Sequence, residues 1–226
     1  MKPAVLGAIV VAAGLAGAAA YVMFGREAPA PAPVVASSGT SQDAAAATAP
    51  AGAEAAETRL VERVPEFQLA DREGQMRSLA DWQGQSLIIN FWATWCAPCR
   101  REIPLLQQIA RDHRDEGFEV IGIAVDFRDK VLAYADEMKI DYPLLIGEQE
   151  ALDAAAAFGI ESIGFPFTVF TDAQGRIVAA HMGELHAPEA EVILQAVKAV
   201  NAGSRTPAQA RTEITAGLAA LPPSAP

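Results

Sequence analysis

Among 226 residues there are two cysteines and three histidines. Two cysteines cannot build a small scaffold stapled by several disulfides, nor a four-thiolate zinc site. Positive charge is also scarce: 17 Lys and Arg stand against 28 Asp and Glu, for a formal net charge of −11. That balance excludes a nucleic-acid partner or a polybasic lipid contact. No phosphate-binding glycine loop is present, since the glycine clusters lie in the N-terminal apolar run and near Gly164. Aromatic residues make up only 7% of the chain, and the 51% hydrophobic content is swollen by alanine-rich terminal segments. It is therefore no sign of several membrane spans.

The two cysteines stand three positions apart in Trp92-Ala93-Thr94-Trp95-Cys96-Ala97-Pro98-Cys99, directly after the apolar run Leu87-Ile88-Ile89-Asn90-Phe91. This placement reads as a redox dithiol at a strand-to-helix turn. Two sulfurs separated by two residues in the first turn of a helix close a small ring with little backbone movement. Cys96 is expected to be the first helical residue and the attacking thiol, because free backbone N–H groups and the positive end of the helix dipole favour its thiolate. Cys99, in step with Ile103, Leu106 and Ala110, is expected to be the more buried and to resolve the mixed disulfide. Pro98 lacks a donor in a turn that needs none. A purely structural disulfide here would close so short a loop that it adds little entropy. A metal site is the other alternative, with Cys96, Cys99, His181 and His186 as ligands. Against it, about eighty residues separate the two pairs, where a compact zinc finger has ~12 to 15.

The first 25 residues run Met1-Lys2-Pro3, an uncharged apolar stretch from Ala4 to Phe24, then Gly25. About 20 apolar residues span a bilayer, so residues 1–25 are expected to form a single-pass signal anchor. A cleaved signal peptide ending near Ala18-Ala19-Ala20 is the rival, but its apolar core is ordinarily ~7 to 15 residues, and here the run continues through Tyr21-Val22-Met23-Phe24. Lys2 and the free N-terminus on one side, against Arg26 offset by Glu27 on the other, place the N-terminus in the cytoplasm. In a bacterium the domain then faces the periplasm from the inner membrane. Residues 26–58, with Ala-Pro repeats, Ser-Ser-Gly-Thr-Ser and an alanine tract, read as a flexible linker. Residues 202–226 read as an Ala/Pro-rich tail with a transient helix at most, over Arg211 to Leu221.

Between them, residues 59–201 have the size of one domain. Strands are predicted at Leu87–Trp92, Glu119–Val125, Phe167–Thr171 and Arg176–His181, and helices near Cys96–Arg114, Asp129–Met138, Gln149–Phe158 and Pro188–Val200. Phe67-Gln68-Leu69 and the turn signal at Asp71–Gly74 predict a hairpin ahead of them. The alternation predicts an α/β fold, a mixed central sheet with helices on both faces. Pro104, inside the first long helix, predicts a kink.

Phe91 through Pro104, reading Phe-Trp-Ala-Thr-Trp-Cys-Ala-Pro-Cys-Arg-Arg-Glu-Ile-Pro, resembles the active-site segment of thioredoxin-like proteins of the TlpA/ResA branch. The resemblance covers roughly residues 60 to 200, because Gly164-Phe165-Pro166-Phe167 through Val178 is similar to that family's cis-proline loop and following hairpin. It implies a thioredoxin-like fold with an N-terminal β-hairpin extension, and a cis-proline at Pro166. It further implies that Trp95, Phe165 and Pro166 meet substrate, and that Ala97 and Pro98 complete the active-site motif. Asn90 stands where thioredoxin carries a buried, proton-transferring aspartate, and the resemblance assigns that role to Glu102 instead. On its own pattern Glu102 also reads as a solvated carboxylate beside Arg100 and Arg101. Phe165 is bulkier than the small or β-branched residue expected before the cis-proline.

The activity implied is that of a thiol-disulfide oxidoreductase with no cofactor beyond its own disulfide. The resemblance points to protein cysteines as substrates, such as those of apocytochrome c or copper-site assembly proteins, and to a membrane electron donor of the DsbD/CcdA kind. Two other functions stand beside it. A thiol peroxidase expects an isolated cysteine after a Pro-x-x-x-Thr/Ser-x-x segment, and a copper-delivery module would use Cys96, Cys99 and a histidine. His113 is expected at a helix surface or core edge, and His181 and His186 at the end of the hairpin.

Overall fold

The computed structural model describes residues 61–160 and 164–222. The expected anchor (1–25) and linker (26–58) lie outside them, and among the described residues no helix is long and apolar enough to cross a membrane.

Seven strands form one sheet: β1 (Leu69–Asp71), β2 (Met76–Arg77), β3 (Ser86–Trp92), β4 (Phe118–Val125), β5 (Leu144–Gly147), β6 (Phe167–Thr171) and β7 (Ile177–Met182). Their spatial order is β2-β1-β5-β4-β3-β6-β7. The inner trio β5-β4-β3 is parallel, and antiparallel strands flank it on each side. Five helices accompany the sheet: α1 (Ala97–Asp112), α2 (Arg128–Met138), α3 (Gln149–Ala157), α4 (Ala187–Asn201) and α5 (Pro207–Ala219).

β3 is buried along its whole length, as a central strand covered on both faces should be. Its alternation divides the core in two. Ile88 and Trp92 join a cluster with Cys99, Ile103, Val131, Ile193 and Ile214, residues of α1, α2, α4 and α5. Leu87, Ile89 and Phe91 join the opposite cluster with Ala151, Ala154 and Phe158, on or just after α3. Helices thus cover both faces, and the mixed thioredoxin-like sheet agrees with the architecture read from the sequence. The early hairpin is present as β1-β2, closed by Gly74 at a positive φ of 83° and by Asp71 Oδ1, which accepts from the N–H groups of Glu73 and Gln75. Pro104 lies inside the continuous helix α1.

Two elements depart from the sequence reading. β5 is absent from the strands read there, because three apolar residues and a glycine after Pro143 are too short a run to separate from a loop. The boundary at residue 201 also needs correction. Residues 207–219 form α5, whose Ala210 and Ile214 are buried in the same core as α1. Thr206 caps it: its hydroxyl accepts from Gln209 N–H, and the Gln209 side chain accepts from Thr206 N–H. Arg211 donates to the Ile177 carbonyl of edge strand β7 at 2.7 Å. An alanine-rich stretch with two buried positions one turn apart reads as tail by composition, and only the surface beneath it makes it a helix of the domain.

Candidate active site

The register brings four chain segments to one end of the sheet. β3 and β4 run parallel and end there, β6 begins there with Phe167 opposite Phe91, and β7 ends there with Met182 opposite Phe167. The loops leaving and entering these ends carry the sequence-predicted residues. A crevice beyond the carboxyl ends of parallel strands is where α/β sheets place their chemistry.

Cys96 and Cys99 are joined in a disulfide. Cys96 is the N-cap of α1 rather than its first helical residue, which is Ala97, and the Cys96 sulfur accepts from the Cys99 N–H at 3.3 Å. That places the sulfur at the positive end of the helix dipole, beside an otherwise unpaired donor. Cys96 retains 5% exposure and Cys99 none, so of the two residues only Cys96 reaches the surface. Ala97 is exposed and Pro98 occupies the first turn.

Glu102 is placed by helical spacing. The buried stripe of α1 is Cys99, Glu102, Ile103, Leu106, Ile109 and Ala110, so Glu102 sits in the stripe itself, one turn beyond Cys99. It is 1% exposed, which sets aside the solvated-carboxylate reading. Asn90 Nδ2 donates to its Oε1 at 2.7 Å, and the Leu185 N–H donates to its Oε2 at 2.8 Å. Burial raises the Glu102 pKa from 4.5 to about 7, although both hydrogen bonds oppose the rise. Asn90 Nδ2 also donates to Thr168 Oγ1 at 2.9 Å, while Asn90 Oδ1 is buried without a partner among the described residues. Asn90 was identified in the sequence as a departure from thioredoxin. Its work as the donor that holds Glu102 was not, because twelve residues and a strand-to-helix turn separate them.

The third side is the loop before β6. The Phe165–Pro166 peptide is cis, and the Pro166 carbonyl accepts from the Gly183 N–H at 2.9 Å. Phe165 is half-buried, edge-on to Trp95 with centroids 6.0 Å apart and stacked on Phe167 at 6.2 Å. Trp95 is 67% exposed. The Trp95–Phe165 contact therefore brings the loop that carries Cys96 against the loop that carries Pro166. The segment from Gly183 to Leu185 is tied to the site three times: to Pro166, to Glu102 and, through Glu184, to Arg101.

His181 Nε2 lies 3.2 Å from the Glu184 carbonyl and 3.7 Å from the Glu189 carboxylate, and His186 caps α4. Among the described residues no group of three or more His, Cys, Asp or Glu side chains is gathered as metal ligands. The histidine set proposed for a metal is thus engaged in local backbone and carboxylate contacts.

Residues 60–180 match the AhpC/TSA family. The thioredoxin-like protein YneN of Bacillus subtilis is 30% identical over 136 residues, which cover 58% of this chain and 75% of that one. The thiol-disulfide oxidoreductase ResA of Halalkalibacterium halodurans is 28% identical over 141 residues, 62% of this chain and 78% of its own. Among solved structures, a DsbF homologue from Corynebacterium diphtheriae superposes with a TM-score of 0.54 at 25% identity, covering 70% of this chain and 99% of that one.

Proposed function

The chain belongs to the AhpC/TSA family and is a thioredoxin-like thiol-disulfide oxidoreductase, and on that premise we propose that it works in the reducing direction on protein disulfides outside the cytoplasm. In this reading the Cys96 thiolate attacks one sulfur of the substrate disulfide. A Cys96–substrate disulfide forms and the other substrate sulfur leaves as a thiolate. Cys99, deprotonated, then attacks the Cys96 sulfur. The Cys96–Cys99 bond closes, the second substrate thiol is released, and two electrons have passed to the substrate.

The observation that carries the proposal is the Cys96–Cys99 disulfide at the N-terminus of α1 with the buried Glu102 carboxyl one helical turn beyond Cys99, held by Asn90 and Leu185; the proton on buried Cys99 needs an acceptor, and burial raises the Glu102 pKa to about 7. A base with a pKa near the working pH is both ionised enough to accept and acidic enough to return the proton. Trp95, Phe165 and Pro166 receive the substrate segment, with the Pro166 loop as its backbone partner. No cofactor beyond the Cys96–Cys99 disulfide enters this cycle. The substrates we favour are cysteines awaiting haem or copper, in apocytochrome c or copper-site assembly proteins. Electrons are resupplied by a membrane donor of the DsbD/CcdA kind, and residues 1–25 anchor the chain in the inner membrane with the domain in the periplasm. Support for the anchor is the uncharged run from Ala4 to Phe24.

The test is the equilibrium reduction potential of the Cys96–Cys99 pair against glutathione and dithiothreitol buffers. A value at or below about −270 mV, where thioredoxin lies, supports a reductase, whereas one near about −120 mV makes the chain a disulfide donor.

A further inference from the structure

A groove of about 360 Å³ has both Phe127 and Trp95, the residue just before Cys96, in its lining. Val125 and Leu152 complete its apolar lining, and Asp126 and Glu148 supply its charge. Trp95 and Phe127 are 67% and 54% exposed, two of the four exposed large hydrophobic residues among those described. Two aromatic side chains this exposed in the lining of one groove are an unfavourable use of surface unless something covers them.

The groove is built rather than incidental. Asp126 is only 7% exposed. Its Oδ1 accepts from the Phe127 N–H at 2.8 Å, and its Oδ2 accepts from both the N–H and the hydroxyl of Thr94. One carboxylate therefore ties the loop that carries Trp95 to the loop that carries Phe127, and charge-assisted bonds of this kind hold geometry firmly. Trp95 is further braced by the edge contact with Phe165.

We propose that this groove is a specificity subsite that takes a large apolar side chain adjacent to the substrate's reacting cysteine, with Glu148 favouring a Lys or Arg beside it. The proposal rests on the reading of Cys96 as the attacking thiol. Trp95 immediately precedes Cys96, and an extended substrate advances about 3.3 to 3.6 Å per residue, so a neighbour of the substrate cysteine falls over the groove. Its volume lies at the low end of the roughly 300 to 1,000 Å³ of ligand pockets, which suits one side chain. Both charged residues in the lining are acidic, and Lys130 rests on the Phe127 ring at 4.7 Å without lining the groove. A cation on the occupant meets charge of opposite sign there.

The test uses the full chain in its reduced state. Rates are measured with bis(2-hydroxyethyl) disulfide, a small disulfide with neither ring nor charge to dock, and with synthetic peptides whose single cysteine is a mixed disulfide with glutathione, flanked by Trp and Lys, by Trp and Glu, or by Ser and Glu. The Trp/Lys peptide is expected to react at least about fivefold faster than the Ser/Glu peptide. Phe127→Ala should lower the ratio of the Trp/Lys peptide rate to the small-disulfide rate by a similar factor. Glu148→Lys should reverse the order of the Trp/Lys and Trp/Glu peptides, an effect that shrinks with added salt; this surface change keeps the test decisive if Phe127→Ala fails to fold. Equal rates for all peptides, or an unchanged order in Glu148→Lys, overturn the subsite and leave the oxidoreductase standing. Failure of the wild type to reduce even the small disulfide overturns the reading beneath it.

Discussion

Glu102 occupies a position where burial opposes its charge and two donors support it. Displacement of its pKa from 4.5 to about 7 corresponds to about 3 kcal/mol. The sign follows from the direction of the shift: between these two pH values the folded chain holds the proton and the unfolded chain releases it. Stability therefore falls as pH rises from 4.5 to about 7 and is flat with respect to this group outside that window. Glu102→Gln removes the dependence. Denaturant titration of both proteins with the disulfide closed should show the variant gaining on the wild type across the window, by up to about 3 kcal/mol; a pH-independent difference would refute the assignment. Asn90→Ala takes away a hydrogen bond that holds this pKa down, so the pH profile of substrate reduction should move to higher pH. A profile that stays in place would count against Asn90 as a positioning residue. Cys96, Cys99 and Glu102 were all legible from spacing and resemblance. Asn90 as a donor, Thr168 beside it and Asp126 beneath Thr94 were not, because each bond crosses between separate elements.

At the scale of elements, the α1 N-terminus does the most for the site. Cys96 as N-cap, Pro98 in the first turn and the apolar stripe behind them come from a contiguous stretch, which is why the motif could be read without a structure. α5 is the opposite case. Its signals, Thr206 with Gln209 three residues later and Pro207 between them, are present in the sequence, but its apolar face is a narrow one, Ala210 and Ile214 with Leu218 partly buried beyond them. Such a helix is marginal alone and stable when docked. Ile214→Ala should lower the unfolding free energy by about 2 to 5 kcal/mol if α5 belongs to the cooperative core, as measured by chemical denaturation. A loss within about 0.5 kcal/mol, the range of ordinary surface changes, would return residues 202–226 to the status of a tail.

For the molecule as a whole, the proposal of a tethered enzyme outside the cytoplasm rests on the leading apolar run, Ala4 to Phe24. Expression of the full chain in a bacterium should place it in the membrane fraction, resistant to alkaline carbonate extraction, with the domain accessible to protease from the periplasmic side. Recovery in the soluble periplasmic fraction would favour the cleaved signal peptide instead. What could be read from order alone is what depends on neighbours along the chain: the dithiol spacing, the helix and strand periods, the proline before β6 and the balance of charge. Such features are set by local geometry and by which residues can ionise, so they survive without knowledge of the fold. The tertiary structure decided the rest. It buried Glu102 against Asn90 and Leu185, made a helix of 207–219 by supplying a surface to dock on, and joined two loops through Asp126 to open the groove beside Cys96. Each of these depends on burial and on contacts across long chain separations, and packing alone determines those.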